Sequence, residues 1–252
     1  MGHPRRAVWA AVAVAATALV VVAVVMSGDD DGRPPAAGPE ARPTTTSMAI
    51  PVETVAGPGI WPFTASADAA GAPADSPYRD PDFTARAFAT RYLGMRQDIL
   101  VTTETSGATA TARVMLGGVP AGLPPATVIT MVQFTRSGPW TVIAARSPRI
   151  VLPYEYDQSH FASPLALRGQ ANAYEGTVQV EVREDAMVAG QFLGETFVTG
   201  SGDSDGSLGP FEGEVNFAPP TRLGGAVVFY ESSAEDGSTL QATVVRAVFA
   251  GR

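Results

Sequence analysis

The residues of this chain best spaced to do chemistry lie between Ser201 and Glu212, in the run Ser-Gly-Asp-Ser-Asp-Gly-Ser-Leu-Gly-Pro-Phe-Glu. Set on a twelve-residue calcium loop, the run offers oxygens at positions 1, 3 and 5, glycine at 6, an apolar residue at 8 and glutamate at 12. Calcium takes about six to eight oxygens, so Ser201, Asp203, Asp205, the Ser207 carbonyl and Glu212 form the candidate ligand set. Against it stand serine in place of aspartate at the first position, Pro210 restricting the path, and the lack of flanking helical periodicity. Gly, Ser and Asp are also the ordinary residues of a solvated loop between strands, and that is the default expectation here.

Other arrangements are poorer still. His160 is one of two histidines and stands in the run Tyr154-Glu155-Tyr156-Asp157-Gln158-Ser159-His160, with no nucleophile motif of the Gly-x-Ser-x-Gly kind anywhere. A lone imidazole does not make a zinc site. Glu212 and Glu214 share a strand face, but their regular alternation reads as the wet side of a sheet rather than an acid and base pair. Without cysteine, the chain has no disulfide, thiolate metal site or thiol nucleophile. The sequence therefore predicts no catalytic residues and no cofactor beyond the calcium candidate, and gives Tyr154 and Tyr156 an interface role in a connector.

The elements that must position these residues begin with a membrane anchor. Ala7–Met26 reads AVWAAVAVAATALVVVAVVM, without a charge and with Thr17 as its one polar interruption. Twenty residues at about 1.5 Å rise span roughly 30 Å, the thickness of a bilayer core. Arg5 and Arg6 precede the run and Asp29, Asp30 and Asp31 follow it, which orients residues 1–6 toward the cytoplasm and everything after Ser27 outside. A cleaved signal peptide has a shorter apolar stretch and a small-x-small site, and Val25-Met26-Ser27 is a poor one. Both readings export the remainder.

Residues 27–78 are rich in Pro, Gly, Ala and Thr, a composition that buries too little apolar surface to offset the entropy of ordering, so a stalk is expected. Within it Gly59-Ile60-Trp61-Pro62-Phe63 concentrates large apolar side chains, and Trp61 and Phe63 are expected to dock on the domain that follows.

Over residues 79–150 an α+β domain is expected. Asp80-Pro81 opens a helix with an Asx cap and proline at the first helical position; Phe83, Ala87, Phe88, Tyr92 and Leu93 line one face, and Gly94 stops it. Alternating strands follow at 109–116, 127–136 and 140–145. The helix with the ending Pro-Trp-Thr-Val-Ile-Ala-Ala resembles reduced domains of the nuclear-transport-factor-2-like type. That resemblance implies a concave sheet face that can hold a small molecule, so sensing or enzymatic function in a pocket of 79–150 is the alternative reading. Asp80, Asp82, Asp98 and Glu104, expected at a helix start or in loops, supply no catalytic pair for it.

After a connector at 151–162, residues 163–252 switch to period two. Val178, Val180 and Val182 alternate with Gln179, Glu181 and Arg183; an apolar stretch runs from Met187 to Leu193; Phe211 and Val215 alternate with Glu212 and Glu214; and Ala226–Tyr230 is continuously apolar, as a central strand would be. Seven short strands, with an Asp236-Gly237 hairpin turn, argue a β-sandwich. Ser163-Pro164, Gly169-Gln170-Ala171, Tyr174-Glu175, Gly209-Pro210-Phe211 and Ser233-Ala234-Glu235-Asp236-Gly237 occur in the order in which the immunoglobulin-like domain of bacterial spore germination proteins carries such motifs, and the segment resembles that family. The resemblance implies an envelope module that binds or organises other components, with no catalytic residues to carry over.

Charge narrows the partners. Beyond the anchor 15 arginines face 25 acidic residues, which disfavours nucleic acid and anionic lipid surfaces. Residues 79–162 hold eight arginines and six acids, whereas residues 163–252 hold five and twelve. The expected architecture is thus an N-terminal transmembrane helix, an α+β domain and an immunoglobulin-like sandwich, acting as a non-catalytic envelope protein on an extracytoplasmic protein or wall component.

Overall fold

The computed structural model describes residues 59–120, 122–157, 160–173, 176–200, 202 and 206–250, without the side chains of residues 155 and 157. The anchor segment Ala7–Met26 lies outside them, and among the described residues no helix is long and apolar enough to cross a membrane.

The chain enters through a short helix α1 (Ser66–Ala70) and reaches α2 (Pro81–Ala87), which continues as a π-helical turn over Phe88–Tyr92. The start is as its residues dictate: Asp80 Oδ1 accepts from the amides of Asp82 at 2.8 Å and Phe83 at 3.4 Å. Widening the last turn stacks Phe88 on Tyr92, with centroids 4.9 Å apart and planes at 13°. Gly94, with φ of 77°, ends the helix in the left-handed region.

Twelve strands follow: β1 (Leu100–Ser106), β2 (Thr109–Met115), β3 (Thr127–Gln133), β4 (Trp140–Arg146), β5 (Ile150–Val151), β6 (His160–Phe161), β7 (Leu165–Ala171), β8 (Thr177–Glu184), β9 (Gly194–Thr199), β10 (Gly209–Val215), β11 (Gly224–Ser232) and β12 (Thr239–Phe249). They form two sheets. One has nine strands in the order β1-β2-β3-β4-β12-β11-β8-β9, with β6 added beside β12; the other is β10-β7-β5.

The C-terminal β-sandwich and the mixed α+β middle region are both present, and they share one sheet. Strand β4 meets β12 where Ala145 stands opposite Val244. Side chains tighten the seam: Thr127 Oγ1 both donates to the Ala242 carbonyl and accepts from its amide, each at 3.1 Å, and the Ser147 amide donates to Thr243 Oγ1 at 2.9 Å.

The molecule is therefore three layers deep at β11 and β12. Ala226, Val228, Ala242 and Val244 face the helix side, in one core with Ile60, Ala85, Phe88, Tyr92, Ile129, Met131 and Val142. Val227, Phe229, Val245, Ala247 and Phe249 face the small sheet, in a second core with Leu167, Val178, Val180, Phe211 and Val215. Burial on both faces explains why Ala226–Tyr230 is continuously apolar.

Four features depart from the sequence reading. Leu100–Ser106 forms a strand that period-two patterning does not mark, and it carries Glu104 on an exposed strand position rather than in a loop. Met187–Leu193 is not a strand: Ala186 and Gly190 take φ of 78° and 77°, the stretch turns back on itself, and a Cβ on Gly94 would sit 3.4 Å from the Cβ of Ala189. Ile150–Val151 belongs to the small sheet, where it pairs with Ala171 and Gln170. The polar face of β8, which a two-layer sandwich would leave wet, is covered by the helical layer, so Glu181 and Arg183 are buried.

Candidate functional site

The helix-side face of the sheet is where a pocket of the α+β region would lie, and large side chains fill it. Phe88, Ile129, Met131 and Val142 have no exposed surface, and Tyr92 and Trp140 are buried with them. The strip Gly59–Phe63 closes the layer's edge: the Ile60 amide donates to the Val142 carbonyl and the Val142 amide to the Trp61 carbonyl, each at 2.7 Å. Trp61 packs edge-on against Tyr78 at 5.3 Å and tilted against Phe88 at 6.1 Å, while Phe63 meets Tyr78 at 5.8 Å. Both side chains remain half-buried.

Under the helix end lies a group of polar residues that the sequence reading did not single out. Glu181 and Arg183 sit two apart on β8, and Arg183 Nε donates to Glu181 Oε2 at 2.7 Å. Tyr230 Oη donates to the other carboxylate oxygen at 2.7 Å. Arg183 also donates from Nη1 to the Tyr92 carbonyl and lies 5.0 Å from the centre of that ring. A guanidinium thus caps the C-terminus of the helix, where backbone carbonyls are left without partners. Thr239 completes the cap, its hydroxyl donating to the Leu93 carbonyl and its amide to the Gly94 carbonyl.

Burial pushes the Tyr92 phenol up to about 12, an effect that Arg183 partly opposes. The Tyr230 phenol is also raised, by burial first and then by its hydrogen bond to Glu181. With both carboxylate oxygens occupied and the cation satisfied, the chemistry this arrangement performs is positional: it fixes the helix on the sheet.

The predicted contact residues part company at the connector. Tyr156 is buried in the sandwich core, and its hydroxyl donates to the Ala166 carbonyl and accepts from the Arg168 amide, each at 2.9 Å. Burial raises its phenol pKa. Tyr154, two residues earlier, is 73% exposed. Pro153, the residue before it, lines an open groove of about 370 Å³ on the outer side of the small sheet, together with Val151, Leu152, Arg168, Gln170, Pro210 and Glu212.

Glycine makes this part of the sheet possible. A Cβ on Gly169 would stand 2.5 Å from Phe211 Cζ, so the ring of Phe211 occupies the space that any side chain there would need. The cross-strand pair Gly169 and Phe211 is the physical content of two motifs quoted above, Gly-x-Ala and Gly-x-Phe.

Of the calcium candidates, Ser201, Asp203 and Asp205 lie outside the described residues. The Ser207 carbonyl accepts from Asn172 Nδ2 at 2.9 Å, and Glu212 is exposed on β10 opposite Arg168. Among the described residues no group of three or more His, Asp or Glu is placed to hold a metal ion. His160 is exposed on β6, beside Val248.

Residues 151–238 match the model of the immunoglobulin-like domain of bacterial spore germination. The match starts in β5 and stops in the turn before β12, so it contains six of the seven sandwich strands from β6 onward. No curated protein and no solved structure matches the chain.

Proposed function

We propose that this chain is a non-catalytic protein of the bacterial cell envelope, held at the membrane by Ala7–Met26 and using its sandwich to bind or organise an extracytoplasmic protein or wall component. The observation that carries the reading is the immunoglobulin-like domain over residues 151–238. Its position C-terminal to an uncharged apolar run, with arginines before and aspartates after, agrees with export of that domain.

The packing of Phe88, Tyr92, Met131 and Val142 against the helix-side face weighs against a ligand pocket in the α+β region. The outer face of the small sheet offers a binding surface instead. It is apolar at Val151 and Pro210 and carries one charge of each sign, at Arg168 and Glu212, in a shallow groove suited to a partner's surface or an extended chain. The acidic balance of residues 163–252 favours a neutral or basic partner.

The experiment is photo-crosslinking in intact cells from an unnatural aromatic residue at Tyr154, with a second probe at the exposed Glu235 as a surface control. Capture of one envelope protein or wall fragment at Tyr154 and not at Glu235 supports the reading. A full chain whose C-terminus is inaccessible to externally added protease, or a Tyr154 probe that captures nothing, overturns it.

A further inference from the structure

The nine-stranded sheet ends on β1, and apart from the charge of Glu104 this end strand has, among the described residues, none of the devices that usually blunt an edge. It is seven residues long, carries no proline or bulge, and pairs with β2 in unbroken register from Leu100 opposite Met115 to Ser106 opposite Thr109. The two-residue turn, with Gly107 at φ 60°, makes Ser106 and Thr109 a hydrogen-bonded pair, and the Gln133 amide donating to the Ala108 carbonyl at 2.9 Å fixes the same alternation on the far side of β2. Leu100, Thr102, Glu104 and Ser106 therefore bond inward to β2, and the backbone groups of Val101, Thr103 and Thr105 point out of the sheet. The next outward carbonyl, that of Ile99, is taken by Arg86 Nη1 at 2.9 Å.

We infer that β1 is a self-association edge, pairing antiparallel with β1 of a second copy about a two-fold axis at Thr103. Two observations single out a second copy as the occupant. Thr103 Oγ1 has no hydrogen-bond partner, and a two-fold at this residue sets a second threonine directly opposite it, whose hydroxyl it meets after a turn about χ1, a pairing that stabilises antiparallel sheets. The same register places Glu104 of one copy beside Thr102 of the other. Thr102 stands opposite Arg113, so each Glu104 lies in one row with the Arg113 of the other chain, two strand spacings or roughly 10 Å away, which extended side chains span. Glu104 and Arg113 are both exposed, and neither makes an ion pair within the described chain. The charges of the edge thus complement themselves under two-fold symmetry. The interface is small, so the dimer is weak in solution, and anchoring both copies in one membrane would raise its population by effective concentration. Only that last point rests on the envelope reading; the edge pairing stands without it.

The absence of native cysteine makes the register directly testable in the full chain, both in membranes and in detergent. Under mild oxidation Thr103→Cys should give a disulfide-linked dimer. Thr105→Cys, on the same edge, should not, because its two copies would stand about 13 Å apart along the strands. Glu104→Arg should weaken dimerisation in analytical ultracentrifugation at least tenfold, and adding Arg113→Glu should restore it, with circular dichroism reporting that each variant is folded. A full chain that is monomeric at 100 µM and fails to crosslink at Thr103→Cys overturns the inference. So does equal crosslinking at both positions, which would mean collision rather than register, or a dimer indifferent to Glu104→Arg.

Discussion

Replacing Arg183 by methionine removes a cation that is 2% exposed and leaves the Glu181 carboxylate, 4% exposed, with a hydrogen bond from Tyr230 Oη. Breaking a buried ion pair from one side costs about 3–5 kcal/mol, because the other charge stays out of water without compensation. The same substitution uncaps the Tyr92 carbonyl and strips the cation from the face of its ring, both acting in the same direction. For a folded unit of this size, each kcal/mol lowers the melting temperature by about 2–4 °C, so Arg183→Met should lose about 6–20 °C. Pairing it with Glu181→Gln removes both charges while leaving Tyr230 an amide oxygen to bond. The double variant should recover all but about 1–2 kcal/mol, the cost of the uncapped carbonyl. Urea unfolding of Pro51–Arg252, followed by the fluorescence of Trp61 and Trp140, reads both quantities, since these indoles border the helix-side core. A loss below about 1 kcal/mol for Arg183→Met, or a double variant no better than the single one, refutes the reasoning that a stranded charge sets the penalty.

Three other outcomes are expected. Tyr92 holds its proton up to about 12, whereas an unfolded tyrosine releases it near 10. The folded state thus binds more protons between those values, and stability, intact below pH 10, should fall as pH rises toward 12. Tyr92→Phe should flatten that fall in pH-dependent denaturation; an unchanged slope would shift the cause to Tyr156 and Tyr230. Gly169→Val should destabilise by about 1–3 kcal/mol through collision with the Phe211 ring, and Gly169→Val with Phe211→Ala should be milder than the sum of the two single changes in a thermal melt. Millimolar calcium should leave the melting temperature where chelator leaves it; a clear rise that Asp203→Ala with Asp205→Ala abolishes would establish the run from Ser201 to Glu212 as a metal loop.

Much of the fold was legible because local chemistry and tertiary demand agreed. Asp80-Pro81 caps its helix, Gly94 ends it, Asp236 accepts from the Ser238 amide at 3.0 Å in the predicted turn, and the valines of β8 face a core. What escaped is nonlocal. Strand β1 has one apolar residue on its packed face, Val101, so it shows no alternation to read. The charged cluster at Glu181 and Arg183 looked like a wet face because nothing in an alternating strand announces a third layer above it. Met187–Leu193 escaped for the converse reason: Ala186 and Gly190, with positive φ, bend a run whose composition suits a strand, and Leu193 still reaches the sandwich core. Among the contact residues, Tyr154 and Tyr156 have the same chemical type and the same connector, and only tertiary packing separates a surface ring from a core one.

The domain match stops at residue 238, one residue short of β12, which sits in the middle of the larger sheet with β4 on one side and β11 on the other. A gene fragment cut to the matched segment would therefore lose one of the two strands that β11 pairs with, keeping β8 on its other edge, and bare Ala226 and Val228 on the helix-side face. Heat, denaturant and protease should consequently meet one cooperative body between Gly59 and Ala250, melting in a single transition rather than shedding one half while the other survives. Insertions or truncations tolerated at a true interdomain hinge would be lethal to folding at this seam.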